Sequence, residues 1–338
     1  MTDLEQPTLA GPVPRERKPD WLKVRAPGGE SYARLKQTLR GLDLFTVCEE
    51  ARCPNVGECW GAGTATVMLL GHMCTRGCRF CAVTTGNPRG AVDPREPEHV
   101  GRAIASLGLK YVVLTMVDRD DLLDGGADHM ARAVKSLRQH QPELLVETLV
   151  GDFGGRRPDL DVMVDGAPDV FAHNIEVARR LTPLIRDQRC SYDLSLDVLR
   201  YAKQRAPERL VKSSIMVGIG EKDEEVEETM ADLRAAGVDI VTLGQYLRPT
   251  PHHAPVERYV EPERFAAYER AGYALGFSFV ASGPLVRSSY HAAEGFVQAR
   301  LRPAAAGEGA PAQLVGQTAS ARRPGVVPPE ALLSKAKR

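Results

Sequence analysis

The sequence predicts an α/β protein built on a parallel sheet, and two observations carry that prediction. From residue 64 onward, strand-like runs alternate with helical patterns. Several runs, TATVMLL and KYVVLTMV among them, are apolar throughout, as expected of strands covered on both faces. The repetition requires right-handed crossovers, which a closed barrel, a partial barrel and a doubly wound sheet all satisfy. A chain of 338 residues accommodates one large core or two ordinary ones.

Taken in order, residues 1–18 are polar and rich in Pro, Glu and Arg, the composition of a loose arm. KPDWLKV follows, with Trp21 and Leu22 as expected anchors onto the body. Residues 31–41 have helical spacing and a glycine stop. Cys48, Cys53 and Cys59 then occupy a Pro-, Gly- and Asn-containing stretch that reads as a loop. Strands are expected at 64–70, 110–117, 144–150, 169–175, 211–219 and 239–247. Helices are expected at 97–107, 127–139, 191–204, 223–236 and 262–275. Beyond 299 the composition turns to Ala, Pro, Gly and Arg, which reads as a disordered tail.

The bulk numbers exclude some functions. Hydrophobic residues make up 43% of the chain and charged residues 26%, the balance of a soluble globular protein. The formal net charge is zero, so neither nucleic acid nor an anionic membrane surface is an expected partner. No apolar run approaches the ~20 residues that span a bilayer. The N-terminus lacks an apolar signal core and is too acidic and Pro-rich for a mitochondrial presequence. A cytoplasmic, reducing location is expected, where grouped cysteines point to metal or catalysis rather than disulfides.

Six of the seven cysteines fall between positions 48 and 81. Cys74, Cys78 and Cys81, in CTRGCRFC, have C-x3-C-x2-C spacing directly after the first expected strand. In a barrel, that is where chemistry belongs. A cubane iron–sulfur cluster takes four thiolates, so three leave one iron open to a small molecule. Structural zinc is the alternative: it prefers a closed tetrahedral set, and His72 is available to complete a Cys3His site with the upstream triplet. For Cys190 the default is a structural thiol. Asp118, Asp120, Asp121 and Asp124 in VDRDDLLDGG read either as a polar turn or as part of a site at a strand end. Gly218 and Gly220 lack the third glycine of a dinucleotide fingerprint and read as a strand-to-helix turn capped by Asp223. His252 and His253 read as surface loop residues, and Arg287 reads either as the partner of an acid or, under the resemblance described next, as a guard of a serine-ligated iron.

CTRGCRFC resembles the cluster loop of the radical S-adenosylmethionine (SAM) superfamily. With the upstream triplet Cys48, Cys53 and Cys59, the chain is similar to one family within it, lipoyl synthase. ARCPNVGECW, VLTMVDRDDLLDGGADH, VETLVGDF, VFAHNIE, MVGIGEKDEE and GPLVRSSYHA resemble stretches of that family in the same order, across roughly residues 19–298. The resemblance implies a partial (β/α)6-type TIM barrel with N-terminal and C-terminal extensions. It divides the chain into an arm (1–18), an extension carrying the auxiliary cysteines (19–62), the barrel (63–285), an RSSY closing segment (286–298) and the tail (299–338). KPDWLKV and the first-triplet loop are expected to close over the barrel mouth.

The same resemblance implies a sulfurtransferase with two [4Fe-4S] clusters. One, on Cys74, Cys78 and Cys81, would bind SAM at its open iron and cleave it to methionine and a 5′-deoxyadenosyl radical. The other would be held by Cys48, Cys53, Cys59 and a serine of RSSY, Ser288 or Ser289, with Ser288 preferred. It would give up sulfur for insertion at C6 and C8 of an octanoyl chain already amide-linked to a lysine. The implied partners are octanoylated lipoyl carrier domains (2-oxoacid dehydrogenase E2 or glycine cleavage H protein), a ferredoxin or flavodoxin as electron donor, and an iron–sulfur carrier. Glu147 and Asn174, ending their strand runs, are candidates for contacts to the SAM ribose and to SAM or substrate, respectively. The chain departs from the family pattern at Met116, Gly151, Gly154, Ala172 and Pro251. These departures keep open an enzyme of the same build acting on another acyl or peptidyl substrate.

Overall fold

The structure, a computed structural model, describes residues 66–289 throughout and, outside that range, residues 18–23, 33, 36, 37, 45, 46, 53, 55–61, 297, 300 and 301. The chain separates into two units, Met1–Gln298 and Ala299–Arg338. Only Arg300 and Leu301 of the second are described, so the expected disordered tail lies outside the described residues, as do most of the expected arm and of the 31–41 helix.

The strands take shape between turn residues, the longer ones mostly where β-branched and aliphatic residues crowd a short segment. They are β1 (Phe45–Thr46), β2 (Thr66–Leu69), β3 (Met73–Cys74), β4 (Thr84–Thr85), β5 (Tyr111–Met116), β6 (Leu145–Leu149), β7 (Val170–Ala172), β8 (Leu210–Val217), β9 (Ile240–Gln245) and β10 (Phe279–Gly283). The main sheet runs β1-β2-β5-β6-β7-β8-β9-β10, and β3 pairs with β4 apart from it. Strands β2 through β10 of the main sheet are parallel in strict sequence order. Only β1 is antiparallel, pairing Phe45 with Met68. Among the described residues no pairing joins β10 back to β1 or β2, so the barrel is partial.

That order decides between the two architectures left open by the sequence. A doubly wound sheet reverses its strand order; here every crossover steps the same way, so the helices share one face and the sheet curls around the other. Two differences from expectation stand out. A seventh parallel strand, β10, reads FVASG, too small and polar to announce a strand; it sits at the sheet edge, where little side-chain packing is asked of it. A helix at Arg157–Asp165 was also not expected, because three aspartates in nine residues give low helical propensity. Pro158 in its first turn and Leu160, Met163 and Val164 buried on one face make it stable in context.

Residues of one strand parity, such as Val67, Leu69, Val112, Leu114, Val146 and Phe171, pack outward with Ile104, Met130, Val134 and Leu160 of the helices. Those of the other parity point inward. At the N-terminal ends of the strands, Tyr111, Leu145, Val170, Leu210 and Ile240 form a small interior cluster closed by Val297. One layer above it sits a buried ion pair: Lys212 Nζ lies 2.8 and 2.9 Å from the carboxylate oxygens of Glu147, which also accepts a 2.5 Å hydrogen bond from Tyr111.

Trp21 is 40% exposed and does not act as the expected anchor, whereas Leu22 is buried. Cys59 lies on a short helix, Val56–Gly61, rather than in a loop, beside the fully buried Trp60. The glycine turn after β8 also differs from expectation. Its backbone N–H groups at Gly218 and Ile219 donate to Glu221, and Glu225 accepts from Lys222 N at the helix start. Asp223 is the first residue of the helix and binds Arg258 and Tyr268, so it is not the cap. Gly218 has φ +89°, and a Cβ there would meet the Arg258 carbonyl at 2.4 Å, so only glycine fits.

Candidate radical and auxiliary cluster site

A cavity of about 550 Å³ opens at the C-terminal ends of the parallel strands. Cys74, Cys78 and Cys81 line it from the loop after β2. Asp118, Asp152 and Asn174 come from the ends of β5, β6 and β7, Met216 and Gly244 from β8 and β9, and Arg287, Ser288 and Ser289 from the segment after β10. Lys18 and Cys53 line it from the N-terminal extension. Members of both cysteine triplets and the RSSY serines thus face one space, 230 residues apart in sequence where Asn55 Nδ2 donates to the Leu285 carbonyl at 2.5 Å. Cys59 is buried but is not among the lining residues, and Cys48 lies outside the described residues.

The cluster loop leaves β2 through Leu70 (φ 66°) and Gly71 (φ 86°), two successive left-handed residues that turn the chain across the strand ends. Leu70 carries this strain because both its polar groups are held: its N–H by Glu96 at 2.9 Å and its carbonyl by Arg119 at 3.1 Å. Within the loop, Arg76 N–H points at Cys74 Sγ (3.4 Å) and Asp187 N–H at Cys78 Sγ (3.3 Å). His253, expected to be a mere surface residue, places Nε2 2.8 Å from the Cys81 carbonyl.

The charges explain what the cysteines need. Burial pushes the Cys74 thiol up and carries Cys81 to about 11. A hydrogen bond with Cys190, reinforced by burial, raises Cys78, while the same bond lowers Cys190 to about 7. The nearest guanidinium, Arg76, is already matched by Asp120 and Asp152. Three half-buried thiols without a cation of their own suit a donor set that a metal centre completes and deprotonates. The described cysteines are all free, so a disulfide is not formed among them. His72 is exposed and does not line the cavity, which counts against a Cys3His zinc site with Cys53. The donors therefore fit an iron–sulfur cluster.

Asn174 lines the cavity, with Nδ2 3.1 Å from Glu176 Oε1. Glu147 does not: the Lys212 ion pair holds it in the barrel floor, below Leu149, so the expected ribose contact is corrected. Of the four aspartates in VDRDDLLDGG, only Asp118 lines the cavity; burial pushes its carboxyl up to about 6. Asp120 pairs with Arg76, Asp121 with Arg119, and Asp124 accepts from Gly126 and Asp128 N–H at the next helix start. Sequence reasoning missed Arg76, Asp152, Glu176, Arg186 and the placement of Cys190 against Cys78. The only signal for Arg76, Asp152 and Glu176 was their presence in stretches quoted for resemblance, CTRGCRFC, VETLVGDF and VFAHNIE; Arg186 and Cys190 lie in none of them.

A partial barrel with a three-cysteine loop at the end of its first parallel strand defines a radical SAM enzyme, and residues 68–233 match the model of the radical SAM superfamily. Solved structures agree in fold. SuiB of Streptococcus suis, bound to its precursor peptide SuiA, superposes with a TM-score of 0.52 at 10% identity over 74% of this chain and 52% of that one. The FeFe-hydrogenase maturase HydG of Carboxydothermus hydrogenoformans gives 0.50 at 12% identity over 80% and 77%. Residues 5–53 match the N-terminal domain of lipoyl synthase. Lipoyl synthase of Sorangium cellulosum is 67% identical over 298 residues, covering 84% of this chain and 80% of its own. That of Thermus thermophilus is 55% identical over 87% and 91%, and the chloroplastic enzyme of Arabidopsis thaliana 52% over 87% and 76%. The chain belongs to the lipoyl synthase family of the radical SAM superfamily. Membership implies SAM and a [4Fe-4S] cluster, with lipoyl carrier domains as the substrate class. Among the described residues no helix is long and apolar enough to cross a membrane.

Proposed function

We propose that this chain inserts two sulfur atoms, at C6 and C8, into the octanoyl chain of an octanoyl-lysine on a lipoyl carrier domain. The observation that carries this reading is the shared cavity: Cys74, Cys78 and Cys81 on one side, Cys53 with Ser288 and Ser289 on the other. Cys74, Cys78 and Cys81 would hold the SAM-binding cluster. Cys48, Cys53, Cys59 and Ser288 would hold a second, sulfur-donating cluster. A serine oxygen is a harder ligand than a thiolate, which suits an iron that must leave. Bound there, the clusters and SAM supply one-electron chemistry and sulfur, able to act on alkyl C–H bonds that no side-chain base can deprotonate.

The chain's own residues do the rest. Phe80, Met116, Leu149, Ile215, Met216 and Leu247 give the cavity an apolar wall for an extended acyl chain and keep water from it. Asn174 and Asp118 supply polar groups at the strand ends to orient SAM. A ferredoxin or flavodoxin would deliver electrons, and an iron–sulfur carrier would rebuild the spent cluster. A second reading, another acyl or peptidyl substrate, is favoured by one observation: two of the departures, Met116 and Gly151, fall in the cavity wall.

Iron and acid-labile sulfide, measured anaerobically, test the reading. The unaltered chain is expected to hold about eight irons and the Cys74→Ala, Cys78→Ala, Cys81→Ala variant about four. A colourless, zinc-containing chain would sink it. Mass spectrometry of an octanoylated carrier domain separates the two substrates: two hydrogens replaced by two sulfurs supports the first, an unchanged carrier beside cleaved SAM the second.

A further inference from the structure

The cluster loop is held by more than its cysteines. Arg76 stands between Cys74 and Cys78 and is 5% exposed. Its guanidinium engages all five N–H groups. Nε and Nη2 form one fork on Asp120, at 3.1 and 2.8 Å. Nη2 and Nη1 form a second on Asp152, at 2.7 and 2.6 Å. The remaining Nη1 N–H points at Cys190 Sγ, 3.5 Å away. These partners come from three separate segments: Asp120 follows β5, Asp152 follows β6, and Cys190 stands just before the helix Tyr192–Arg205.

Neighbouring bonds pull the same way. Thr75 Oγ1 donates to Asp120 at 2.7 Å, and Thr75 N–H to the Asp118 carbonyl at 2.9 Å. On the opposite side Gly77 N–H donates to Asp187 at 2.8 Å, and Arg189, itself paired with Asp187 and Asp120, reaches the Thr75 carbonyl at 2.5 Å. A buried ion pair is a poor source of net stability, because desolvation offsets its attraction. Two planar forks on one guanidinium are, however, a strong geometric constraint, and an ammonium cannot reproduce them.

We propose that Arg76 is the positioning residue of the SAM-binding cluster: its two carboxylate forks tie the loop to the ends of β5 and β6 and so preset the spacing of Cys74 and Cys78. The proposal rests on the cluster assignment above. Arg76 lines the cavity, but its five guanidinium N–H groups are taken by Asp120, Asp152 and Cys190, so it is assigned no ligand role. It acts through the backbone that carries two ligands, as the partners behind a metal's ligands commonly do.

The test uses the full chain, reconstituted anaerobically, with Arg76→Lys, Arg76→Met and Asp152→Asn variants. Release of iron to a chelator is timed, and the electron paramagnetic resonance signal of the reduced protein is recorded before and after adding SAM. The second cluster serves as an internal control of folding. Both Arg76 variants are expected to release iron from the Cys74–Cys81 site about 10–100-fold faster. About four irons should persist at the second set. The SAM-induced change in the signal should be lost, and lysine should not restore it. Asp152→Asn, which weakens one fork, should fall between. Unaltered iron release and signal in Arg76→Lys would overturn the proposal, since charge alone would then suffice. So would loss of both clusters together with a lowered melting temperature of the metal-free variant, because the residue would then hold the fold and not the loop. A chain whose unaltered form takes up no iron would instead overturn the cluster assignment itself.

Discussion

Lys212 and Glu147 are each almost fully buried and, among the described residues, each other's only charged partner within hydrogen-bond reach. Removing one strands the other. Lys212→Met is expected to cost about 3–5 kcal/mol in chemical denaturation, and Glu147→Gln placed on top of it to recover most of that loss. His173 gives a pH signature. Burial lowers its pKa from 6.5 to about 4, with Nδ1 on the Val150 carbonyl at 2.8 Å and Nε2 on Ser195 at 2.9 Å. The unfolded chain therefore binds this proton more readily than the folded one. Stability from His173 is intact above about pH 6.5 and drains as pH falls toward 4, by an amount on the order of 3 kcal/mol. Urea midpoints measured across that window, unaltered chain minus His173→Gln, should show this slope; parallel curves would refute it. At this scale the cysteines of the cluster loop were legible because their spacing is local. Arg76 was not: its partners lie 44, 76 and 114 residues away and meet it only in the fold. Glu147 was misread for a related reason. Its place near a strand's end put it in the right barrel, but one layer of alternation decides between the mouth and the floor.

Helix Tyr192–Arg205 shows how an element sets the site. Ser191 caps it by accepting from Leu194 N–H at 3.0 Å, and the residue just before the cap is Cys190. Ser191→Ala is expected to lower unfolding free energy by about 1 kcal/mol in denaturant titration; no change would mean that the first turn is held by Arg186 and its neighbours instead. Elements with strong periodicity were legible, and the six expected strands and five expected helices fall within about three residues of the observed ones. Among the described residues, what escaped were the two-residue strands β1, β3 and β4, the edge strand β10, and the α-helices at Val56–Gly61, Arg157–Asp165 and Thr182–Ile185. All are short and carry weak local preference, so tertiary packing decides them.

At the scale of the molecule, alternation of strand and helix could not choose between barrel and doubly wound sheet, because both contain the same units. Strand order chose, and strand order is a property of pairing between segments far apart in the chain. The open seam between β10 and β1 leaves the closing task to the extensions, which supply Lys18, Cys53 and the RSSY serines to the cavity. The family membership follows from matches over more than four fifths of the chain, whereas the proposed second cluster rests on two short segments far apart in it.

The Asn55–Leu285 hydrogen bond carries a consequence in time. During synthesis the radical loop and the strands that follow it, through β9, leave the ribosome before Leu285 does. The space around Cys74, Cys78 and Cys81 can therefore take shape on a nascent chain, while the junction that brings the RSSY serines toward Cys53 must wait for the last part of the fold. In the proposed assignment, the sulfur store is the final piece to be assembled, and a chain stalled before its end would carry the machinery for making radicals with nothing to give them.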